Sequence, residues 1–184
     1  SIAIYEALIY EKLISNESFH CVAGHSLGEY SALVVNRSLN FKDSVKLLKI
    51  RSKAMQESMP IGTGGMIALI GSSTETISDA IATASKIGKI FISNDNAQGQ
   101  VVLSGETKPI DFIIANSKML KIKRAIKLPV SAPFHCDLIS NASKIMRSEI
   151  LNFEFSPFLV PLYSNVTSLA CNHEKIKDLL IDQI

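Results

Sequence analysis

A serine between two glycines stands near the start of the chain. The segment VAGHSLGEYSA places Ser26 two residues after Gly24 and two residues before Gly28, which is the G-x-S-x-G spacing of a nucleophile elbow. Glycines at these positions leave room for a sharp turn that exposes the serine hydroxyl. The following helix begins near Leu27, whose backbone N–H is placed to stabilise a developing oxyanion. The spacing therefore predicts acyl transfer or ester hydrolysis through Ser26.

A serine nucleophile requires a base, and the chain holds four histidines, His20, His25, His135 and His173. His25 directly precedes Ser26, and on such a turn we expect it to point away from the serine hydroxyl. His135 lies in the segment VSAPFHCDL, in a loop that leaves a strand and enters a helix. A base that faces a cleft is suited to such a loop. A surface or helix-capping role for His135 fits the sequence equally well.

An arginine lies on the apolar side of a predicted helix. Leu48, Arg51 and Met55 are spaced i, i+3, i+7, so we expect Arg51 to be buried. A buried arginine stays charged and therefore requires an anionic partner. That partner is either an acidic side chain, such as Glu29 or Glu57, or a substrate carboxylate held by two hydrogen bonds.

The elements that must position these residues follow from hydrophobic periodicity. Helices are predicted at residues 1–15, 27–35, 40–58, 74–85, 109–120, 137–151 and 175–184. Strands are predicted at 19–23, 66–70, 89–93, 100–104, 121–130 and 159–164, with a turn over 94–99. The middle of the chain has the order βαββαβ of a ferredoxin-like domain. We therefore predict an α/β protein in which a core, 1–60 and 131–184, is interrupted by a small domain at 61–130.

Composition limits the class of protein. Of the 184 residues 47% are hydrophobic and 20% are charged, as in soluble globular proteins. The net charge is +2 and the 19 Lys and Arg residues are scattered, so nucleic acid is not an expected partner. No signal peptide or apolar membrane span is visible. The three cysteines lack metal-ligand spacing, which predicts reduced thiols, no metal site and a cytoplasmic protein.

Four motifs, in order, resemble one enzyme family. VAGHSLGEYSALV, LLKIRSKAMQ, NDNAQGQVVLSG and LPVSAPFHCDL are similar to segments of malonyl-CoA:acyl carrier protein transacylases, and the resemblance covers essentially all 184 residues. It implies an α/β-hydrolase-like core with a ferredoxin-like insertion. It also implies that Ser26 is the nucleophile, His135 the general base and Arg51 the group that holds the malonyl carboxylate, while Leu27 supplies an oxyanion N–H.

The reaction implied by this resemblance has two steps, requires no cofactor and belongs to fatty acid biosynthesis. Ser26 takes the malonyl group from malonyl-CoA, and the phosphopantetheine thiol of acyl carrier protein then removes it. We expect a monomer. The resemblance places a Gly-Gln-Gly-Ser-Gln segment before residue 1 and a supporting glutamine soon after Ile184. The chain also begins and stops within helical patterns, so we expect it to be the central part of a longer protein.

Three other functions stay open on the sequence. A serine esterase or thioesterase would use the same turn, but its acid would precede its histidine, and no Asp or Glu occurs from Phe112 through Phe134. The second alternative is a non-enzymatic domain that binds carrier protein, and it concerns above all these 184 residues taken alone. The third alternative is an acyltransferase domain of a larger synthase. Within that class Arg51 favours a carboxylated acyl group, and the family resemblance implies that the Phe134-His135 pair favours malonyl over its methyl-branched relative.

Overall fold

A computed structural model of the chain describes residues 1–184, except for the side chain of Asn16. The fold is α/β, as predicted. The helices in the described chain are α1 (Ile2–Tyr10), α2 (Leu27–Val35), α3 (Phe41–Glu57), α4 (Thr74–Ala84), α5 (Thr107–Ala115), α6 (Ser140–Glu149) and α7 (Ile176–Asp182). The strands are β1 (Val22–Ala23), β2 (Gly64–Ile70), β3 (Ile90–Ala97), β4 (Gln100–Glu106), β5 (Arg124–Lys127), β6 (Leu162–Tyr163) and β7 (Ala170–Cys171). None of these helices combines the length and the apolar character needed to cross a membrane.

The chain forms two compact units. The first comprises residues 1–52 and 143–183, and the second comprises residues 53–142 together with Ile184. The first unit contains a three-stranded sheet in the order β1-β6-β7. β1 and β6 are parallel, and β6 and β7 are antiparallel. Because β1 and β6 run in the same direction, the segments that follow them leave the sheet at the same edge, where α/β sheets commonly place their binding groups.

A buried asparagine joins α2 to the segment that enters β6. Asn36, directly after α2, is 1% exposed, and its side-chain amide donates to the Val160 carbonyl at 2.8 Å. The amide oxygen accepts the N–H groups of Leu159 and Val160 at 2.9 and 3.0 Å. A buried amide with all of these bonds made fixes the end of α2 beside β6.

The second unit contains a four-stranded antiparallel sheet in the order β3-β4-β2-β5. Its elements follow in the order β2-α4-β3-β4-α5-β5. Alternating side chains along β2 divide between two faces. On one face Ile67 and Leu69 pack with the buried residues of α4 and α5, namely Ile77, Ala80, Ala84, Ile110 and Ile113. On the other face Met66 and Ala68 pack with Val102, Ile126, Leu128 and Phe134.

The first predicted helix is shorter than its apolar pattern suggested. The pattern covers residues 1–15, but α1 ends at Tyr10. Lys12 has a left-handed backbone, with φ of 56°, and the N–H of Leu13 donates to the Leu8 carbonyl at 3.0 Å. This left-handed residue and this bond close the end of the helix, so the apolar residues that follow do not extend it.

The predicted turn over residues 94–99 is longer than the observed one, which comprises only Gln98 and Gly99. β3 continues to Ala97 and pairs with β4 as far as Gln100, with two register shifts on the way. Asn94, Asp95 and Asn96 are polar residues that are uncommon in strands, so the periodicity gave no strand signal there. β3 is an edge strand of the described sheet, where polar side chains are tolerated better than in a central strand.

Candidate active site

Ser26 lies in the turn between β1 and α2, with φ of 51° and ψ of −106°, a conformation that L-residues rarely adopt. Gly24 permits this turn because a Cβ at Gly24 would lie 2.0 Å from the carbonyl carbon and oxygen of Gly28. At Gly28 itself a Cβ would meet no described atom within 4 Å outside its own helix. The close backbone approach in this turn therefore requires glycine at position 24 but not at position 28.

The side chain of Asn165 contacts both ends of this turn. Its Oδ1 accepts the backbone N–H of Ser26 at 2.7 Å, and its Nδ2 donates to the carbonyl of Gly24 at 2.5 Å. Asn165 follows β6, the parallel neighbour of β1. Leu27 is the first residue of α2, so its N–H has no partner within the helix and is suited to an oxyanion.

Arg51 is buried, as the spacing on α3 predicts. It follows Ser44 and Leu47 on the buried side of the helix and is 6% exposed. Its Nη2 donates to Ser26 Oγ at 3.0 Å and to Gln183 Oε1 at 2.8 Å. Burial lowers the pKa of Arg51, but a guanidinium remains charged at neutral pH. The structure thus brings a buried cation to the nucleophile predicted from the turn.

An acidic side chain, one of the two partners that the sequence left open for Arg51, forms no described ion pair with it. Among the described ion pairs none joins Arg51 to Glu29 or Glu57. Gln183 lies between Arg51 and Glu29 instead. Its Oε1 accepts from Arg51, while its Nε2 donates to a carboxylate oxygen of Glu29 and, at 3.3 Å, to the carbonyl of Ser26. One amide therefore connects the arginine, a buried carboxylate and the backbone of the nucleophile.

Sequence reasoning missed Gln183. The resemblance placed the supporting glutamine beyond Ile184, whereas the structure places Gln183, 7% exposed, within the site. A signal was present, because Ile176, Leu180 and Gln183 are spaced i, i+4, i+7 at α7 and all three are buried. A polar residue in a buried stripe is the same signal that singled out Arg51.

Two buried polar atoms near the nucleophile have no hydrogen-bond partner among the described residues, Arg51 Nε and the Tyr30 hydroxyl. The Tyr30 ring lies under the guanidinium, 5.7 Å from Arg51 Cζ. Burial raises the pKa of Tyr30 to about 12, so its hydroxyl is neutral at physiological pH. An unsatisfied buried donor costs about 1–3 kcal/mol. An anionic ligand at the guanidinium would supply the acceptor that Arg51 Nε lacks among the described residues.

His135 lies in the second unit, in the loop between β5 and α6, as predicted. Its backbone is left-handed, with φ of 58°, and its side chain is half-buried. Ser104 Oγ donates to the carbonyl of Phe134 at 2.6 Å and so ties the loop to β4. The structure thus places Ser26, Leu27 and Arg51 together in the first unit and describes His135 within the second. The role of His135 as a base stays a prediction.

The cysteines are free thiols, and Cys136 is next to His135 in sequence. Burial raises the pKa of Cys136 to about 11, so at neutral pH it is a thiol and not the thiolate that a nucleophile requires. Ser26 is therefore the better candidate nucleophile.

The described side chains include no group of three or more His, Cys, Asp or Glu residues arranged to hold a metal ion.

Glu29 makes stability depend on pH. It is fully buried, and burial raises its pKa above the ordinary 4.5, although bonds from Asn165 and Gln183 and the charge of Arg51 oppose this. Above pH 4.5 the folded state holds this proton more tightly than the unfolded state does, so the Glu29 contribution to stability falls as pH rises through the native pKa. We expect Glu29→Gln to remove that fall, which urea unfolding at a series of pH values measures. Glu154→Gln, at an exposed glutamate, is the control and should show the same pH dependence as the wild type. If the slope of the free energy of unfolding against pH is unchanged in Glu29→Gln, the assignment is contradicted.

A family model described as an acyl transferase domain matches residues 18–178. The malonyl CoA-acyl carrier protein transacylase of Salmonella typhimurium is 40% identical over 165 residues, covering 89% of this chain and 53% of the relative. A crystal structure of an acyl carrier protein S-malonyltransferase from Vibrio cholerae has a TM-score of 0.90 at 37% identity, covering 100% of this chain and 59% of that one. A malonyl-transacylase in complex with its type II PKS acyl carrier protein has a TM-score of 0.91 at 33% identity, with 99% and 58% covered. The chain spans about half the length of the curated relatives it matches.

Proposed function

This chain belongs to the acyl transferase domain family, and we propose that its protein transfers the malonyl group of malonyl-CoA to acyl carrier protein in fatty acid biosynthesis. The acceptor is the phosphopantetheine thiol of the carrier, and a malonyl-serine is the intermediate. The observation that carries the proposal is the 3.0 Å contact between Arg51 Nη2 and Ser26 Oγ. A buried cation at a nucleophilic serine suits an acyl group that carries its own carboxylate.

Each step follows from the chemistry of these groups. Ser26 Oγ attacks the thioester carbonyl of malonyl-CoA, and His135 takes the hydroxyl proton. The N–H of Leu27 stabilises the tetrahedral oxyanion. The carbon–sulfur bond then breaks, and CoA leaves with the proton. In the second half-reaction His135 takes the proton of the carrier thiol, and the sulfur attacks the serine ester. The bond between Ser26 Oγ and the acyl carbon then breaks, and Ser26 regains a proton from His135. Arg51 holds the malonyl carboxylate throughout, which also gives Arg51 Nε an acceptor.

We further propose that residues 61–130 form a ferredoxin-like subdomain inserted into an α/β-hydrolase-like core, 1–60 and 131–184. Support comes from the βαββαβ order of the second unit and from its strand order, in which the first and last strands are neighbours. In the first unit, support comes from a parallel strand pair and from a nucleophile turn between a strand and a helix. A monomeric, cytoplasmic protein stays a prediction.

Intact-protein mass spectrometry tests the proposed function. The 184-residue chain is incubated with malonyl-CoA, and the adduct is mapped by peptide analysis. We expect a malonyl adduct on Ser26 that persists in buffer and disappears when phosphopantetheinylated carrier protein is added. Rapid loss of the adduct to water would instead indicate a thioesterase. Binding of carrier protein without any adduct would indicate a non-enzymatic binding domain, and both outcomes contradict the proposal.

Arg51→Ala tests the choice of acyl group. We expect loading from malonyl-CoA to fall about 10- to 100-fold, because hydrogen bonds to a charged group contribute about 1.5–3 kcal/mol. Loading from acetyl-CoA, which has no carboxylate, should rise relative to malonyl-CoA. Lys49→Ala removes an exposed cation from the same helix and serves as the control. Unchanged malonyl kinetics in Arg51→Ala would refute the role of Arg51.

A further inference from the structure

We propose that Asn165 is a positioning residue for the Ser26 nucleophile, because its side-chain amide holds the strained turn from both ends. The inference rests on the proposed function in that Ser26 is the acylated residue. Asn165 does not touch the reacting atoms. It acts through the backbone on either side of them.

The two contacts use both halves of one amide. Oδ1 accepts the N–H of Ser26 at 2.7 Å, and Nδ2 donates to the carbonyl of Gly24 at 2.5 Å. The network fixes which atom is which, because an N–H needs an acceptor and a carbonyl needs a donor. A planar carboxamide supplies both in one rigid group. An alanine would supply neither, and an aspartate would supply only the acceptor.

The turn needs such support. Ser26 has a left-handed φ of 51° with ψ of −106°, and backbone of this kind persists only where surrounding contacts over-determine it. The Ser26 N–H also lies just outside α2, where no helical carbonyl can accept it. If the turn relaxed, Ser26 Oγ would move from its position 3.0 Å from Arg51 Nη2.

Asn165 is itself held in place. Its backbone N–H donates to Oε1 of the fully buried Glu29 at 3.2 Å, and Glu29 lies on the first turn of α2. Parallel pairing of β1 with β6 brings the residues after both strands to one edge of the sheet. The contacts therefore form a closed loop from Ser26 to Asn165, to Glu29, and back to Ser26 through α2. A residue anchored in this way can transmit its position to the nucleophile.

A serine-directed phosphonofluoridate probe measures the nucleophile without depending on the acyl group. Ser26 Oγ forms a bond to phosphorus, fluoride leaves, and the hydroxyl proton passes to a base. We expect Asn165→Ala to slow labelling of Ser26 about 10- to 100-fold, because a displacement of about 1 Å at a reacting group has an effect of that size. Asn165→Asp keeps the shape and the acceptor but sets a carboxylate oxygen against the Gly24 carbonyl, so it should slow labelling as well. Asn172→Ala, at an exposed asparagine that caps a short helix through the N–H of Glu174, is the matched control.

Malonyl-CoA kinetics separate positioning from general loss of structure. In Asn165→Ala the maximal rate of Ser26 acylation should fall, while the malonyl-CoA concentration at half-maximal rate stays unchanged, because Arg51 is intact. Hydrogen exchange of the Ser26 amide should accelerate in the same variant. Equal labelling rates and equal amide exchange in wild type and Asn165→Ala would overturn the inference and leave the proposed function standing. Labelling by the phosphonofluoridate with no reaction toward malonyl-CoA would overturn the proposed function alone.

Discussion

Ser26→Ala is expected to abolish formation of the acyl-enzyme. The variant removes the only atom of the turn that attacks the thioester, and loss of a serine nucleophile reduces turnover by about 10⁶-fold in a serine hydrolase. Alanine and serine both carry a Cβ, so the substitution should leave the backbone strain at this left-handed position unchanged. Arg51 keeps its bond to Gln183. The measurement is the fraction of protein that carries a malonyl adduct at a fixed time, read by intact mass.

The matched control for this prediction is Ser52→Ala. Ser52 is exposed and directly follows Arg51, and its hydroxyl donates to the nearby Lys49 carbonyl at 3.1 Å. Its replacement should leave the adduct at the wild-type level. An adduct of normal mass on the Ser26→Ala protein would place the nucleophile on another residue, and the elbow would then be a structural turn.

The sequence predicted those site residues whose signal is local. Ser26 and Leu27 belong to an eleven-residue segment with the G-x-S-x-G spacing of a nucleophile elbow, set between a predicted strand and a predicted helix. Arg51 stands out because a charge interrupts an apolar stripe. Asn165 could not be found in this way. It is 139 residues from Ser26 along the chain, and only the pairing of β1 with β6 brings the two together. Pairing of two-residue strands leaves almost no periodic trace.

The same distinction explains the fold. Helices α3 and α4 were predicted to within one or two residues, because their buried stripes and caps are local features. At the start of α4, Ser73 accepts the N–H of Thr76 at 3.2 Å, and at the start of α3, Asn40 accepts the N–H of Asp43 at 2.9 Å. β7 was not predicted at all, since its two residues are ordered by pairing with β6 and not by their own pattern.

His135→Asn is expected to slow acylation of Ser26 by about 10²- to 10⁴-fold, the usual effect of removing a general base. Asparagine is the suitable replacement because His135 has φ of 58°, and asparagine tolerates a left-handed backbone better than alanine does. The bond from Ser104 to the Phe134 carbonyl does not involve the imidazole, so the loop should keep its anchor. The single-turnover rate of adduct formation measures the chemical step without product release.

The competing base for this reaction is His25, which is exposed and adjacent to Ser26 in sequence. His25→Asn is therefore the variant that tests this alternative. If His135 is the base, His25→Asn should acylate within a few-fold of the wild-type rate and the double variant should be no slower than His135→Asn, because only one base acts in the step. A loss of less than about ten-fold in His135→Asn, together with a large loss in His25→Asn, would assign proton removal to His25. The turn would then carry both nucleophile and base on neighbouring residues, and the loop that follows β5 would have a structural role only.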